Sequence, residues 1–182
     1  MPLHRRTALR ALLGSGLAAL GAATAPAARA QAFPSRTIKF VVPFGPGSGT
    51  DTSARYFAKK LQDLTGQAVV VENKPGANGF LAVKQVLAAP ADGYTVFIGS
   101  NSTLAVNAAL FKELPYDPVK DFSPLTMMMR SPAMLVVPPA APYGDLKGLL
   151  AHARANPGKV NFGAGSAGYQ LMGELLNDMA GV

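Results

Sequence analysis

Cysteine and tryptophan are absent from this 182-residue chain, and only 15% of its residues are charged. Without cysteine there is no disulfide framework, no thiolate metal site and no lipid-modified cysteine behind an export signal. Only two histidines occur, His4 and His152, and the ten acids are scattered, so no metal-ligand spacing emerges. No internal repeat or low-complexity tract follows residue 30. What is abundant is apolar side chain, at 49%. A chain of this length and content can bury a core, which excludes a disordered, collagen-like or disulfide-stapled class. Seventeen Lys and Arg against ten acids give +7, a value that first suggests nucleic acid.

The first thirty residues change that figure. They hold ten Ala, no acid and four Arg (Arg5, Arg6, Arg10 and Arg29). A basic head, 1–10, leads into an uncharged stretch, 11–28, and Ala28-Arg29-Ala30 has the small-x-small form of a cleavage site. We read 1–30 as a cleavable export signal, with Arg5-Arg6-Thr7-Ala8-Leu9-Arg10 similar to a twin-arginine motif. The stretch is too rich in Gly and Ala to span a bilayer. Removing its four Arg from seventeen basic residues leaves thirteen against ten acids over residues 31–182. A net charge of about +3 gives no case for nucleic acid, and the expected location is the periplasm.

From Thr37 onward strands, glycine turns and helices alternate. Ile38-Lys39-Phe40-Val41-Val42 is a β-branched run that stops at Pro43. After the loop 44–51, Ala54, Phe57, Ala58, Leu61 and Leu64 recur at helical spacing, with Thr50 or Asp51 as the N-cap and Gly66 as the stop. Ala68-Val69-Val70-Val71 reads as a second strand. A helix carrying Leu81, Val83, Val86 and Leu87 follows, then a third strand at Thr95-Val96-Phe97-Ile98 and a helix near Leu104 to Leu110. Strands joined by helices of this length imply a parallel sheet with helices on its faces, an α/β class. Beyond Phe111 the reading is of a second lobe: strands at Leu125–Met129, Met134–Val137 and Val160–Phe162, and helices at Tyr143–Ala155 and from Tyr169 towards Met179. The expected organisation is a signal over 1–30, a first lobe over 31–122 and a second over 123–182.

Loops at the carboxyl ends of parallel strands, each ahead of a helix N-terminus, form the usual ligand position of an open α/β fold, and the free N–H groups there favour an anion. Gly45, Gly47 and Gly49 let the backbone approach a ligand, and Ser48 and Thr50 add hydroxyl donors. Asp51 either fixes its loop as a cap or accepts from a ligand amine or hydroxyl. Enzyme patterns are fewer. Gly45-x-Gly47-x-x-Thr50 with Glu72 approaches a dinucleotide fingerprint but lacks the third glycine. Gly163-x-Gly165-x-x-Gly168 matches the glycine spacing, and Ala164-Gly165-Ser166-Ala167-Gly168 is similar to a hydrolase elbow. The hydrolase order requires an acid and a histidine after the serine, and His152 precedes Ser166. An exported hydrolase-like or Rossmann-like enzyme is therefore the alternative to a binding protein, and Met127-Met128-Met129 reads as a buried strand in preference to a soft-metal site.

Four motifs occur in order: Pro43-Phe44-Gly45-Pro46-Gly47-Ser48-Gly49-Thr50-Asp51, Val70-Val71-Glu72-Asn73-Lys74-Pro75-Gly76-Ala77, Asp92-Gly93-Tyr94-Thr95 and Leu114-Pro115-Tyr116-Asp117-Pro118-Val119-Lys120-Asp121-Phe122. Together they resemble the substrate-binding proteins of tripartite tricarboxylate transporters, the Bug family. The resemblance implies a periplasmic solute-binding protein of the type II two-lobe plan, each lobe a mainly parallel sheet flanked by helices. It implies a small carboxylate ligand (a di- or tricarboxylate, an acidic amino acid or an aromatic acid), membrane permease subunits as partners, no cofactor, no metal, no catalysis and a monomeric full-length form. Carried over, the first-lobe contacts are Phe44, Gly45, Gly47, Ser48, Gly49, Thr50 and Asp51, with Gly79, Ser100 and Asn101 nearby. The second-lobe contacts are Ala164, Gly165, Ser166 and Gly168. Ser48 stands where many members have Gly, and Gln170 where a His is common. Members are roughly twice the length of residues 31–182, so the resemblance implies a chain that is C-terminally truncated within the second lobe.

Overall fold

In the computed structural model, residues 32–182 are described; the export signal expected over 1–30 lies outside them. Three strands, β1 (Ile38–Val42), β2 (Val69–Asn73) and β3 (Thr95–Phe97), form one parallel sheet in the order β2-β1-β3. The register pairs Phe40 with Val71 on one side and with Val96 on the other. Because β1 is central, both of its faces are covered. Val41 and Val42 are completely buried, and each such side chain contributes about 1.5–3 kcal/mol. The ladder runs past β3, since Ile98 N–H donates to Val41 O at 2.9 Å.

The Phe40 face packs against α1 (Gly49–Thr65). Small residues, Ala54 and Ala58, let this helix lie close to the sheet, and Leu61 is partly buried beside them. Phe57 and Leu64, expected on the same face, are exposed instead. Gly66 ends α1 in the left-handed conformation, its N–H returning to Gln62 O. The N-cap differs from expectation: the helix starts at Gly49, so Ser48 takes the cap and accepts from Asp51 N–H, leaving Thr50 and Asp51 in the first turn. Helix α2 (Phe80–Leu87) buries Ala82 and Val83, whereas Leu81 and Leu87 face outward. After β3, Ser102–Val106 winds as a π-helix that continues into α3 (Asn107–Leu110). An aromatic group of Phe80, Phe111, Tyr116, Phe122 and Phe97 packs edge-to-face or stacked at centroid separations of 5.1–6.2 Å.

The remaining elements are α4 (Leu146–Ala155), capped by Asp145, and α5 (Ala167–Ala180), capped by Ser166. Both match the expected helices. The strands expected at 125–129, 134–137 and 160–162 do not form. A strand exists only through a ladder partner, and no described residue supplies one to these segments. Their side chains are accordingly open, with Leu125, Met134 and Val136 about 80% exposed. Met128 alone of the methionine triplet packs against the core, on the Phe40 face, so the triplet is not a buried strand. Among the described residues no helix is long and apolar enough to cross a membrane.

Candidate functional site

The loops after β1 and β2 leave the same edge of the sheet, and Gly79 brings them together. It adopts φ +87°, and a Cβ there would lie 2.5 Å from Thr103 Cγ2 and 3.3 Å from Pro43 Cβ. Only a residue without a side chain lets the second loop settle on both the first loop and the π-helix. A cleft of about 240 Å³ lies between them. Its walls are Pro43, Phe44 and Gly45 after β1, Pro75, Gly76, Asn78 and Gly79 after β2, Ser102 at the start of the π-helix, and Gly165, Ser166 and Ala167 at the N-terminus of α5. No lining residue is charged. Ala167 carries the first N–H of α5, at the end of the helix where the dipole is positive.

The α5 terminus is fastened to the π-helix. Gly168 N–H donates to Ser102 Oγ at 3.0 Å in a buried contact, and a Cβ on Gly168 would fall 2.6 Å from Asn101 Nδ2. Asn101 Oδ1 in turn accepts from Ser102 N–H, while Ser100 and Thr103 exchange hydrogen bonds around the turn. Beneath the second loop, Asn107 is fully buried; its Nδ2 donates to Asn78 O at 2.9 Å and to Tyr116 Oη at 3.2 Å.

Behind the first loop stands a charged brace. Asp51, 2% exposed, accepts from Gly47 N–H at 2.9 Å, from Asn73 Nδ2 at 2.8 Å and from both Nε and Nη2 of Arg55. The Arg55 guanidinium first, and the Gly47 amide next, hold its carboxyl well below the usual range, from 3.8 to about 2, against the opposing effect of burial. Every accepting position of Asp51 is thus directed at the protein; the carboxylate fixes its loop, though through Gly47 N–H, Asn73 and Arg55 and not as the helix cap expected from the sequence, a place that Ser48 takes.

Of the expected contacts, the structure brings together Phe44, Gly45, Gly79, Gly165 and Ser166 on the cleft. Gly47, Ser48 and Asp51 belong to the loop's internal bonding. Gly49 and Thr50 lie in the first turn of α1, Ser100 and Asn101 shape the turn beside Ser102, Gly168 is tied to Ser102, and Ala164 lies next to the lining. Pro43, Pro75, Gly76, Asn78 and Ser102 are not among the contacts expected from sequence, whereas Ala167 lies within the expected loop 164–168. The enzyme-like patterns are engaged elsewhere. Ser166 Oγ faces Tyr169 N–H at 3.5 Å as a helix cap, and the His152 ring packs on Tyr143 at a centroid distance of 5.3 Å. Glu72 is held by Lys39 at 3.0 Å, Lys74 at 3.1 Å and Gln85 at 2.9 Å, and its carboxyl is lowered from 4.5 to about 2 chiefly by the two lysines.

A parallel open sheet flanked by helices defines an α/β protein, and the uncharged, glycine-lined cleft lies at the carboxyl edge, where folds of this kind commonly take a ligand. Comparison with known proteins narrows this. Residues 53–182 match the tripartite tricarboxylate transporter family receptor, TctC. Protein BugT of Bordetella pertussis is 39% identical over 173 residues, covering 93% of this chain and 52% of its own length. Among solved structures, Rpa4515 of R. palustris with adipate superposes with a TM-score of 0.79 at 36% identity, over 83% of this chain and 51% of that one. MatC from Rhodopseudomonas palustris with bound malate gives 0.73 at 35% identity, over 82% and 52%. The chain belongs to the tripartite tricarboxylate transporter receptor family, and its fold is that of the periplasmic binding proteins. It spans about half the length of the relatives it matches.

Proposed function

We propose that this chain captures a small carboxylate in the cleft, acting in the periplasm as the binding component of a tripartite tricarboxylate-type transporter and handing the ligand to membrane permease subunits without altering it. The ligand class is a di- or tricarboxylate, an acidic amino acid or an aromatic acid. In this reading residues 31–122 supply one lobe, residues 123–182 contribute to a second, and 1–30 direct export. Ligand would favour the state in which loops of both lobes meet, because only that state offers it the full set of contacts.

The observation that carries the reading is the cleft. Its volume lies below the ~300 Å³ at which pockets for drug-sized ligands begin. A small anion fits that space, and backbone N–H groups at a helix N-terminus bind anions without a committed Arg. The adipate and malate held by two similar structures are of this chemistry. Calorimetry and thermal-shift measurements against a carboxylate panel test it. A ligand at one hundred times its Kd adds about 2.7 kcal/mol, which is a rise of about 5–11 °C for a protein of this size. Turnover of an ester with no carboxylate raising the melting temperature would instead favour the enzyme alternative.

A further inference from the structure

The structure assigns to Asn73 a positioning role: its side-chain amide orients the Phe44–Gly45 peptide so that the Gly45 N–H is presented as a donor to a carboxylate in the cleft. The assignment rests on the cleft being the ligand site, as proposed above.

Asn73 closes β2, two residues before Pro75 of the cleft wall, and its half-buried side chain spans the two loops. Nδ2 donates to Phe44 O at 3.0 Å and to Asp51 Oδ1 at 2.8 Å, while Oδ1 accepts from Arg55 Nη2 at 3.0 Å. One planar amide thus makes two donations and one acceptance. Asp at this position has no donor when ionised, and Ser has only one. In a trans peptide the carbonyl and the following N–H point in opposite directions. Drawing the Phe44 carbonyl towards Asn73 therefore turns the Gly45 N–H away from the brace. That N–H has no hydrogen-bond acceptor among the described residues, and Gly45 lines the cleft. The charged groups around Asn73 are Asp51 and Arg55 of α1. Its chain neighbours Glu72 and Lys74 pair with each other, and Glu72 also pairs with Lys39 of β1.

Asn73→Asp and Asn73→Ala separate this role from simple loss of stability. Affinities for malate and for adipate are measured by calorimetry on the full chain at 15 °C, at pH 7.5 and pH 5, each as a ratio to the unsubstituted protein at the same pH. Asn73→Asp sets a second carboxylate against Asp51 and against the Phe44 carbonyl. It is expected to weaken binding tenfold or more at pH 7.5 and to recover most of that at pH 5, where the pair shares a proton and the carboxyl again donates. Asn73→Ala is expected to weaken binding about five- to tenfold at both pH values. Should Asn73→Ala fail to fold, Asn73→Ser takes its place with the same expectation. Variants that are folded yet bind within twofold of the unsubstituted protein overturn the assignment, as does a loss in Asn73→Asp that is the same at both pH values. If the unsubstituted protein binds neither acid, it is the cleft reading that falls, and the assignment falls with it.

Discussion

Asp51→Asn keeps the shape of the side chain and removes its charge, which makes it the sharpest probe of the first loop. The native carboxyl is held at about 2 by Arg55 and Gly47 N–H, against an ordinary value of 3.8. At about 1.36 kcal/mol per pH unit this depression amounts to about 2 kcal/mol of stabilisation of the ionised native state. The folded-state pKa lies below the unfolded one, so the contribution is complete above about pH 5 and disappears as the pH falls towards 2. The variant is expected to unfold in urea with a deficit of about 2 kcal/mol at pH 7, and to melt about 4–8 °C lower. Circular dichroism across a series from pH 7 to pH 2.5 would follow the two proteins converging as Asp51 of the unfolded chain takes up its proton ahead of native Asp51. A variant within 0.5 kcal/mol of the native protein at pH 7, or a deficit that does not change between pH 7 and pH 2.5, would refute the brace. The 0.5 kcal/mol threshold is about the noise expected of an unconnected surface substitution.

Other substitutions probe the walls of the cleft. Gly79→Ala forces a side chain into a left-handed backbone and against Thr103, so denaturant melts are expected to show about 2–5 kcal/mol of lost stability. Ser102→Ala leaves the buried Gly168 N–H without its acceptor; a loss of about 1–3 kcal/mol and faster exchange of that amide by NMR are expected. Gly168→Ala displaces Asn101 from the cap it makes on Ser102 N–H, and a loss of about 0.5–2 kcal/mol is expected in the same melts. In Lys39→Met the Glu72 carboxyl loses its foremost partner, so its titration by carbon-13 NMR is expected to move up from about 2 towards 4.5, with stability lost at a higher pH during acidification.

The first half of the chain was legible because its signals are local. The run 38–42 ends at a proline, Gly66 ends the helix that follows, and the three strands were placed to within a residue or two. Position on an exposed helix was less legible: Phe57 and Leu64 share the apolar spacing of Ala58 and Leu61 but are exposed. The cap was misplaced by two or three residues because Ser48, Thr50 and Asp51 are all competent caps, and only the backbone angles decide among them. The three strands expected beyond residue 122 failed for a different reason. A hydrophobic run specifies a strand only where a partner edge exists, and that is a property of the rest of the fold.

The site divides in the same way. Phe44, Gly45, Gly79, Gly165, Ser166 and Ala167 were recognisable as residues of loops before helices, whereas Ser102 and Asn78 join them only through the packing around Gly79 and Gly168. Asn73 and Asn107 gave no sequence signal of their roles. An asparagine is unremarkable in a loop or on a helix, and its work becomes visible only when one donation of each amide is traced to a carbonyl of the cleft wall, Phe44 O for Asn73 and Asn78 O for Asn107.

The central claim is that a carboxylate occupies this cleft. Titrating the nitrogen-15-labelled chain with malate and with adipate tests it most directly. Saturable shifts are expected, concentrated at the amides of Gly45, Gly79, Gly165 and Ala167. Absence of any shift with every acid of the panel, or saturable shifts confined to residues away from the cleft, would contradict it.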